Sequence, residues 1–496
     1  MRIRYSISLL SLLLTGACRD RGPTVLEPAP VVHALVRVDG DSMTGMVAQP
    51  LTRLTVRAED ENGNPLADVQ VRFFVPLGSS GSIDASIVRT NAEGLAVSSF
   101  WVLGTRSGEQ LERVHAQDVA TVFTATATPD AAVALFPYAG DRQVTLASTA
   151  VRVPPAVRVV DRYGNGVPDI AVRLEAQASS VASTEVTSDS DGIAEARSWT
   201  PAGNADMVLV ATSPQLPSSQ ASFSARVVPE LFGIEYRAVG SIPPRLMQAL
   251  ERAAARWMSV FTTHAGTSHV TLPAGECGPT FPAMNEPVSD LVVFIRVTPI
   301  DGKGEILASA LPCAMHEESG LPVVARITFD ISDVAEYVAN DFVDLIATHE
   351  LGHALGFGTV WEQRGLVVGA GTVNPRFNGA SASREYGVAF GSANTGVVPV
   401  ENTGGAGTAN RHWRASVFSI ETMNGFIATR TAPLSRITIG AMEDVGYSVS
   451  YDAEDAFPSF NVFISGAPML EMRHEDVDRR ARPRVMPRVP RAGNGR

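Results

Sequence analysis

Hydrophobic and polar residues alternate along short runs in the first half of the chain. The segments LTRLTVRAED (51–60) and VQVRFFV (69–75) place apolar side chains at about every second position, between turns rich in Gly and Asn. Because successive side chains of a strand point to opposite faces, this alternation predicts half-buried β-strands. We therefore expect the first half of the chain to be all-β.

The alternating pattern occurs twice. EDENGNPLADVQVRF (59–73) recurs as VDRYGNGVPDIAVRL (160–174), and TNAEGLAVSSFWVLG (90–104) recurs as SDSDGIAEARSWTPAG (188–203). The spacing of 98 residues from Trp101 to Trp199 is about one immunoglobulin-sized β-sandwich. Two sandwiches are predicted, at 32–129 and 130–228, each with one of these tryptophans in its core.

Both repeats resemble the bacterial Ig-like domains of invasin and intimin. The motifs that carry the resemblance are NGNP, at 62–65 in the first repeat, and the later turn with the pattern T..(D/E)G.A. The resemblance implies spacers or adhesive stalks. No cluster of His, Asp or Glu in either repeat suggests catalysis, so spacing is the preferred interpretation, and binding of a cell-surface partner is the alternative.

A second kind of pattern begins in DFVDLIATHELGHALGF (341–357), where apolar residues follow the spacing of a mostly buried helix. On a helix, His349 and His353 share a face and can offer two imidazoles to one metal ion. Glu350 lies beside the first of them, which suits a general base acting on water. The alternative is an ordinary core helix with two satisfied histidines.

A catalytic zinc site needs a third protein ligand. In the compact metzincin pattern a third His follows Gly356 by three residues, but Thr359 stands there. His412 is the candidate that its surroundings favour, because Met423 follows it in the turn-like segment ETMNG. The other histidines outside the motif are His33, His115, His264, His269, His316 and His474.

At this point the chain resembles the leishmanolysin-like zinc metalloproteases, which are metzincins with a displaced third His. Further landmarks are CGP (277–279), IDGKGEILASALPC (300–313), RHWRASVF (411–418) and PLSRITIGAMEDVGY (433–447). The resemblance implies an α+β metzincin-type protease domain over 229–452 that holds one catalytic Zn²⁺.

The resemblance also assigns residues. It implies that His349, His353 and His412 are zinc ligands, that Glu350 is the catalytic base and that Met423 is the Met-turn residue. The strand near EILASAL (305–311) is the candidate for binding an extended peptide by backbone pairing, as edge strands of this protease class do.

The N-terminus predicts export. Residues 1–18 combine early arginines with a short apolar run, which is typical of a signal peptide. The small residues before Cys18 resemble a lipoprotein cleavage site, although Thr15 stands where Leu is usual; cleavage after Ala17 is the alternative. A polar, Pro-rich tether is expected at 19–31.

The chain has three cysteines. If Cys18 is lipidated, Cys277 and Cys313 remain to form one disulfide in an oxidising compartment. These two positions also resemble cysteines of the family. The alternative is two unpaired buried thiols.

Composition narrows the possible partners. A net charge of −12 argues against nucleic acid as a partner. Only the C-terminal extension (453–496) ends in a basic tail, which is expected to be disordered.

The predicted function is a zinc endopeptidase on an Ig-like stalk, acting on protein or peptide substrates. It would be secreted or held at the cell envelope as an outer-membrane or surface lipoprotein. The competing hypothesis is a surface adhesin whose metal domain is inactive or structural.

Overall fold

The computed structural model describes residues 30–76, 81–84, 87–181, 184–304, 306–391, 396–427, 429–455, 470–471 and 484–486. The predicted signal segment, Cys18 and the tether up to residue 29 lie outside these ranges. The chain divides into two compact units, 1–130 and 131–496. Among the described helices, none has the length and apolar character needed to cross a membrane.

The first unit is a sandwich of two β-sheets. One sheet has the strand order β1-β3-β7-β5 and the other β2-β9-β8-β4-β6. Trp101, Phe73 and Phe123 are buried between them, as expected for Trp101. The strands are β1 (Ala34–Asp39), β2 (Met43–Met46), β3 (Pro50–Glu59), β4 (Gln70–Phe74), β5 (Gly81–Ile83), β6 (Ile87–Arg89), β7 (Leu95–Leu103), β8 (Gly108–Ala116) and β9 (Val119–Thr128).

The second unit begins with another sandwich, whose core contains Trp199. Its sheets have the orders β10-β12-β16 and β11-β19-β18-β13-β15, with β14 paired to β17. The strands are β10 (Ala132–Ala139), β11 (Gln143–Thr145), β12 (Ala156–Asp161), β13 (Ala171–Gln177), β14 (Ser179–Val181), β15 (Glu185–Thr187), β16 (Ile193–Glu195), β17 (Trp199–Pro201), β18 (Met207–Thr212) and β19 (Gln220–Val227).

The repeated GN motif forms the same turn in both sandwiches. In the first, the Asp60 carboxylate accepts hydrogen bonds from the backbone and side-chain amides of Asn64. In the second, Asp161 accepts the equivalent bonds from Asn165. The intervening glycine has φ of 84° in the second turn, at Gly164, a backbone conformation that glycine adopts readily. The motif recurs because this turn requires it.

At one pair of equivalent strand positions, the first sandwich core has a carboxyl group where the second has an apolar side chain. Glu112 pairs with the buried Phe123, whereas Leu209 pairs with the buried Phe223 at the corresponding place in the second sandwich. Glu112 is fully buried, and its carboxylate oxygens have no hydrogen-bond partner among the described residues. Burial raises the pKa of Glu112 to about 8. The first sandwich therefore folds with a neutral carboxyl group in its core.

This buried carboxyl should make the stability of the first sandwich depend on pH. The free energy of unfolding is highest below about pH 4.5, where Glu112 is neutral in both the folded and the unfolded chain. It falls as pH rises to about 8, because over this range the unfolded chain ionises Glu112 and the folded chain does not. We expect Glu112→Leu to remove this loss and to raise the unfolding midpoint at about pH 8 by roughly 5–10 °C. Calorimetry of the full chain at about pH 5 and pH 8 measures the shift.

Leu209→Glu is the matched control, because it should introduce the same pH dependence into the second sandwich. An identical dependence in wild type and Glu112→Leu would contradict the expectation.

The rest of the second unit is an α+β domain built on a five-stranded sheet of order β20-β23-β25-β24-β31. β20, β23 and β25 are parallel, and β24 is antiparallel to β25. The main strands are β20 (Ile234–Ala238), β21 (Thr267–Leu272), β22 (Met284–Ser289), β23 (Leu291–Thr298), β24 (Ala308–His316) and β25 (Pro322–Asp330). The short strands are β26 (Val367–Val368), β27 (Arg376–Phe377), β28 (Val398–Pro399), β29 (Phe426–Ile427), β30 (Leu470–Glu471) and β31 (Arg484–Met486).

Seven α-helices are described, and the longer ones pack around this sheet. Asp330 caps the start of α2 by accepting from Ser332 N, and Ser435 caps α7 by accepting from Thr438 N. The helices are α1 (Pro244–Met258), α2 (Ile331–Ala339), α3 (Val343–Ala354), α4 (Ala380–Phe390), α5 (Gly405–Thr408), α6 (Ala415–Phe418) and α7 (Arg436–Val445). The architecture confirms the predicted fold class of two all-β sandwiches followed by an α+β domain.

The second sandwich packs directly on the α+β domain. Val144 of β11 belongs to the same hydrophobic core as Phe232 and Trp257. Arg152 donates to the Ile234 carbonyl at 2.7 Å and pairs with Glu251 of α1 at 2.6 Å. These contacts make the second sandwich a structural part of the α+β domain, in addition to any spacing that it provides.

Candidate metal centre

Helix α3 carries the predicted His-Glu-x-x-His motif. It begins at Val343 and ends at Ala354, inside the segment whose periodicity predicted a buried helix. His349, Glu350 and His353 are all buried. Gly356 follows the helix with φ of 108°, and this turn brings the Phe357 carbonyl back to within 2.9 Å of His353 Nδ1. The helix and its terminal turn therefore fix both histidines.

The structure brings His412 to the two helical histidines across 59 residues. The Nε2 atoms of His349 and His412 are 3.0 Å apart, and His353 Nε2 lies 2.9 Å from each of them. The short strand segments around His412 fix its position, since its carbonyl accepts from Glu401 N and Trp413 N donates to the Met423 carbonyl. The Nε2 atoms of the three histidines thus lie close enough to one another to bind a single ion.

Each of the three rings has its other nitrogen on a backbone carbonyl. His349 Nδ1 lies 2.7 Å from the Thr422 carbonyl, and His412 Nδ1 lies 2.8 Å from the Thr408 carbonyl, in addition to the His353 contact with Phe357. A carbonyl only accepts, so each Nδ1 carries the proton and each Nε2 presents a lone pair. Three lone pairs directed at one another are satisfied by a cation, so the donor set fits a metal ion.

Burial favours the neutral, ligating form of His349 and His412. Desolvation, with the neighbouring His412 as a second cause, lowers the pKa of His349 to about 3. Desolvation also lowers the pKa of His412 to about 4. Burial raises the pKa of Glu350 well above its ordinary value. A bound dication would act against this rise, because a nearby positive charge stabilises the carboxylate.

Met423 lies against the helix between the two histidines. A Cβ atom added at Gly352 would be 2.7 Å from Met423 Sδ and 2.9 Å from Trp257 Cζ2. Only the absence of a side chain at Gly352 allows the fully buried Met423 to approach α3 this closely. The predicted Met-turn residue is thus next to the histidine group.

Glu421 holds the Met423 turn in place, and its role was not predicted from the sequence. It is buried and accepts hydrogen bonds from Met423 N, from Ser435 and from Thr438 Oγ1. Thr438 Oγ1 in turn accepts from Trp413 Nε1 at 2.8 Å, next to His412. Burial raises the pKa of Glu421 to about 7. One carboxyl group therefore connects α7 to both the Met423 turn and the His412 segment.

The remaining predicted positions are also located. Cys277 and Cys313 form a disulfide with a Cα–Cα distance of 5.3 Å, so the prediction of a disulfide is confirmed and the alternative of free thiols is wrong. Thr359, which stands where the compact pattern has its third His, donates to the His353 carbonyl at 2.8 Å. His316 lies elsewhere, hydrogen-bonded to Ser268.

The edge strand β24 packs against α3. It pairs with β25 along one side. Along its other side, the described part of the chain supplies a partner only at Ala314–His316, where β31 from the C-terminal extension runs parallel to it. The preceding stretch of β24, Ala308–Pro312, includes part of the segment predicted to bind a peptide.

Part of this domain is similar to known proteins. Residues 280–460 match the family model described as leishmanolysin. Leishmanolysin of Leishmania donovani is 25% identical over 178 residues, which are 34% of this chain and 29% of the relative. The leishmanolysin homolog of Crithidia fasciculata is 26% identical over 166 residues, 32% of this chain and 24% of the relative. The chain thus spans less than a third of the length of these curated relatives.

Among solved structures, the Escherichia coli adhesin FdeC is 16% identical, covers 40% of this chain and 67% of its own, and has a TM-score of 0.29. InvD of Yersinia pseudotuberculosis is also 16% identical, covers 51% of this chain and 68% of its own, and has a TM-score of 0.28.

The match to the family model spans His349, His353, His412 and Glu350. The second half of this chain therefore contains a leishmanolysin-like domain, which two β-sandwiches precede.

Proposed function

We propose that this chain is a zinc-dependent endopeptidase. The observation that carries the proposal is the convergence of three Nε2 atoms within 3.0 Å, each ring oriented by a backbone carbonyl. His349, His353 and His412 would hold the ion. A zinc ion in such a site supplies Lewis acidity, which polarises a carbonyl group and lowers the pKa of water.

Glu350 has the position of the general base. It follows His349 directly in α3 and its side chain is fully buried. The carboxylate would accept a proton from the attacking water and deliver it to the leaving amine. This role would depend on the bound ion, whose positive charge would favour the carboxylate against the effect of burial.

The open stretch of β24 is the proposed binding place for the substrate backbone. An extended peptide that pairs with Ala308–Pro312 would lie along the strand that packs on α3. Backbone pairing is independent of side chains, so it would give affinity for many sequences. Selectivity then has to come from side-chain pockets next to the metal centre.

Export and anchoring belong to the same proposal. The signal-like residues 1–18 and the disulfide between Cys277 and Cys313 agree with an oxidising compartment outside the cytoplasm. We propose that the protein is held at the cell envelope through lipidated Cys18, with release after cleavage at Ala17 as the alternative. The first sandwich would then act as a spacer.

Removal of the metal tests the proposal. The full chain should hydrolyse an unfolded protein, such as reduced and alkylated albumin, and should lose that activity after dialysis against a zinc chelator. About one equivalent of Zn²⁺ per chain should restore it, and Mg²⁺ should not, because three imidazoles suit zinc and not a cation that prefers oxygen ligands. Metal analysis of the same samples is the second measurement. Hydrolysis that persists in the zinc-free protein would refute the proposal.

A further inference from the structure

A cavity of about 620 Å³ lies between the second sandwich and the α+β domain. The turn from β10 to β11 forms one wall, and α1 together with the first two turns of α3 forms the opposite wall. The volume is in the range of a site for a small ligand or a few side chains. Both walls belong to the second compact unit.

The lining of this cavity is rich in arginine. Six arginines and four aspartates contribute to it, so the formal excess is two positive charges. Some of these charges neutralise one another: Arg252 pairs with Asp344 at 2.6 Å, and Arg256 pairs with Asp455 at 2.9 Å. The arginines are Arg142, Arg158, Arg245, Arg252, Arg256 and Arg430, and the aspartates are Asp141, Asp341, Asp344 and Asp455.

Two of the arginines keep unused hydrogen-bond donors. Arg158 contacts Asp341 only at 3.5 Å, and its buried Nε has no acceptor within the described ranges. Arg430 is exposed and has no ion-pair partner among the residues that the structure describes. A buried donor without an acceptor is costly, so a ligand that brings an acceptor would be stabilised there.

The cavity adjoins the metal centre. A smaller cavity lined by His349 shares Leu345, Thr422 and Ala432 with the large one. The carbonyl of Thr422 is the group that orients His349. The smaller cavity has a volume of only about 10 Å³, so the side chains of these shared residues would have to move for a peptide held at the triad to reach the arginines.

We propose that this cavity is a substrate subsite that selects peptides with acidic side chains on one side of the cleaved bond. This inference rests on the proposed peptidase function. Arg158 comes from the second sandwich, outside the region that matches leishmanolysin, so the subsite is not implied by that similarity. The second sandwich thus contributes to substrate selection as well as to the fold.

The test compares two quenched fluorescent peptides that differ only by two Glu or two Gln placed on one side of the cleaved bond, with a second pair for the other side. The wild-type chain should cleave one Glu peptide about five- to tenfold more efficiently than its Gln partner, mainly through KM. The preference should fall as salt is raised, because it is electrostatic. The variant with Arg158→Gln and Arg430→Gln should lose the preference and cleave the Gln peptide as wild type does.

Arg430→Gln alone guards against misfolding, because Arg430 is exposed, and it should lose part of the preference. Arg173→Gln is the matched control, since Arg173 is an exposed arginine of β13 in the same sandwich and does not line this cavity. It should keep the full preference. Equal cleavage of the Glu and Gln peptides by wild type, or an unchanged preference in the double variant, would overturn the inference.

Binding separates this inference from the peptidase proposal. Fluorescence anisotropy with the Glu350→Gln chain and the same labelled peptides should show tighter binding of the Glu peptide, again lost with the two arginines. If no peptide is hydrolysed but this difference is present, the peptidase proposal fails and the subsite stands. If peptides are hydrolysed and neither assay shows a charge preference, the subsite is wrong and the peptidase stands.

Discussion

Glu350→Gln should bind zinc like wild type and lose peptide hydrolysis by a factor of about 10²–10⁴, the usual cost of removing a general base. The amide has nearly the same size as the carboxylate, so the packing of α3 is preserved. It cannot accept a proton from the attacking water. The three histidines are unchanged by this substitution, and their Nδ1 contacts are to the carbonyls of Thr422, Phe357 and Thr408.

Zinc content and hydrolysis have to be measured on the same sample. A loss of both would indicate a damaged site and not a missing base. Glu362→Gln is a suitable control, because Glu362 is an exposed glutamate shortly after α3, and the variant should match wild type. Hydrolysis at the wild-type rate by a zinc-loaded Glu350→Gln chain would show that Glu350 is not the general base.

His412→Ala should weaken zinc binding by at least about 100-fold, because loss of a hydrogen bond to a ligand already costs 10- to 100-fold and here a ligand itself is removed. The two remaining histidines are on one helix and leave two coordination positions to solvent. Hydrolysis should fall with the metal content. Metal analysis after dialysis, together with a titration against a zinc indicator, gives the affinity.

His269→Ala provides the comparison, since His269 is an exposed histidine of β21 in the same domain. It should retain one zinc per chain. Full zinc and full activity in His412→Ala would show that another residue is the third ligand.

The sequence predicted the elements whose signals are local. The apolar period around His349 and His353 predicted α3, and the repeated GN turn predicted two sandwiches, because a turn and a helix face depend on residues close in the chain. His412 lies far from the helix in sequence, and it could be identified because Met423 and the family landmarks surround it. These predictions used motifs whose spacing reflects the geometry that they form.

The contacts that the sequence did not predict are non-local. Glu421 acts through Ser435 and Thr438, which follow it by 14 and 17 residues, and no periodic pattern marks such a partner. The sequence around Val144 did not predict that its side chain packs in the core of the α+β domain. The hydrophobic pattern of a strand shows that a residue is buried, but it does not show in which core the residue lies. The cavity arginines are likewise scattered from residue 142 to residue 430.

The packing of Val144 and Arg152 against the α+β domain has an evolutionary consequence. A domain can be gained, lost or exchanged by gene rearrangement without harm when it has its own core and few contacts cross its boundary. The first sandwich has its own core and forms a separate unit, so lineages can vary the number of such repeats. The second sandwich cannot be exchanged in this way, because its deletion would remove Val144 from the core of the α+β domain and leave Glu251 without Arg152. We expect natural chains of this architecture to differ in the number of sandwiches that come before the second one. The second sandwich and the α+β domain should be inherited together.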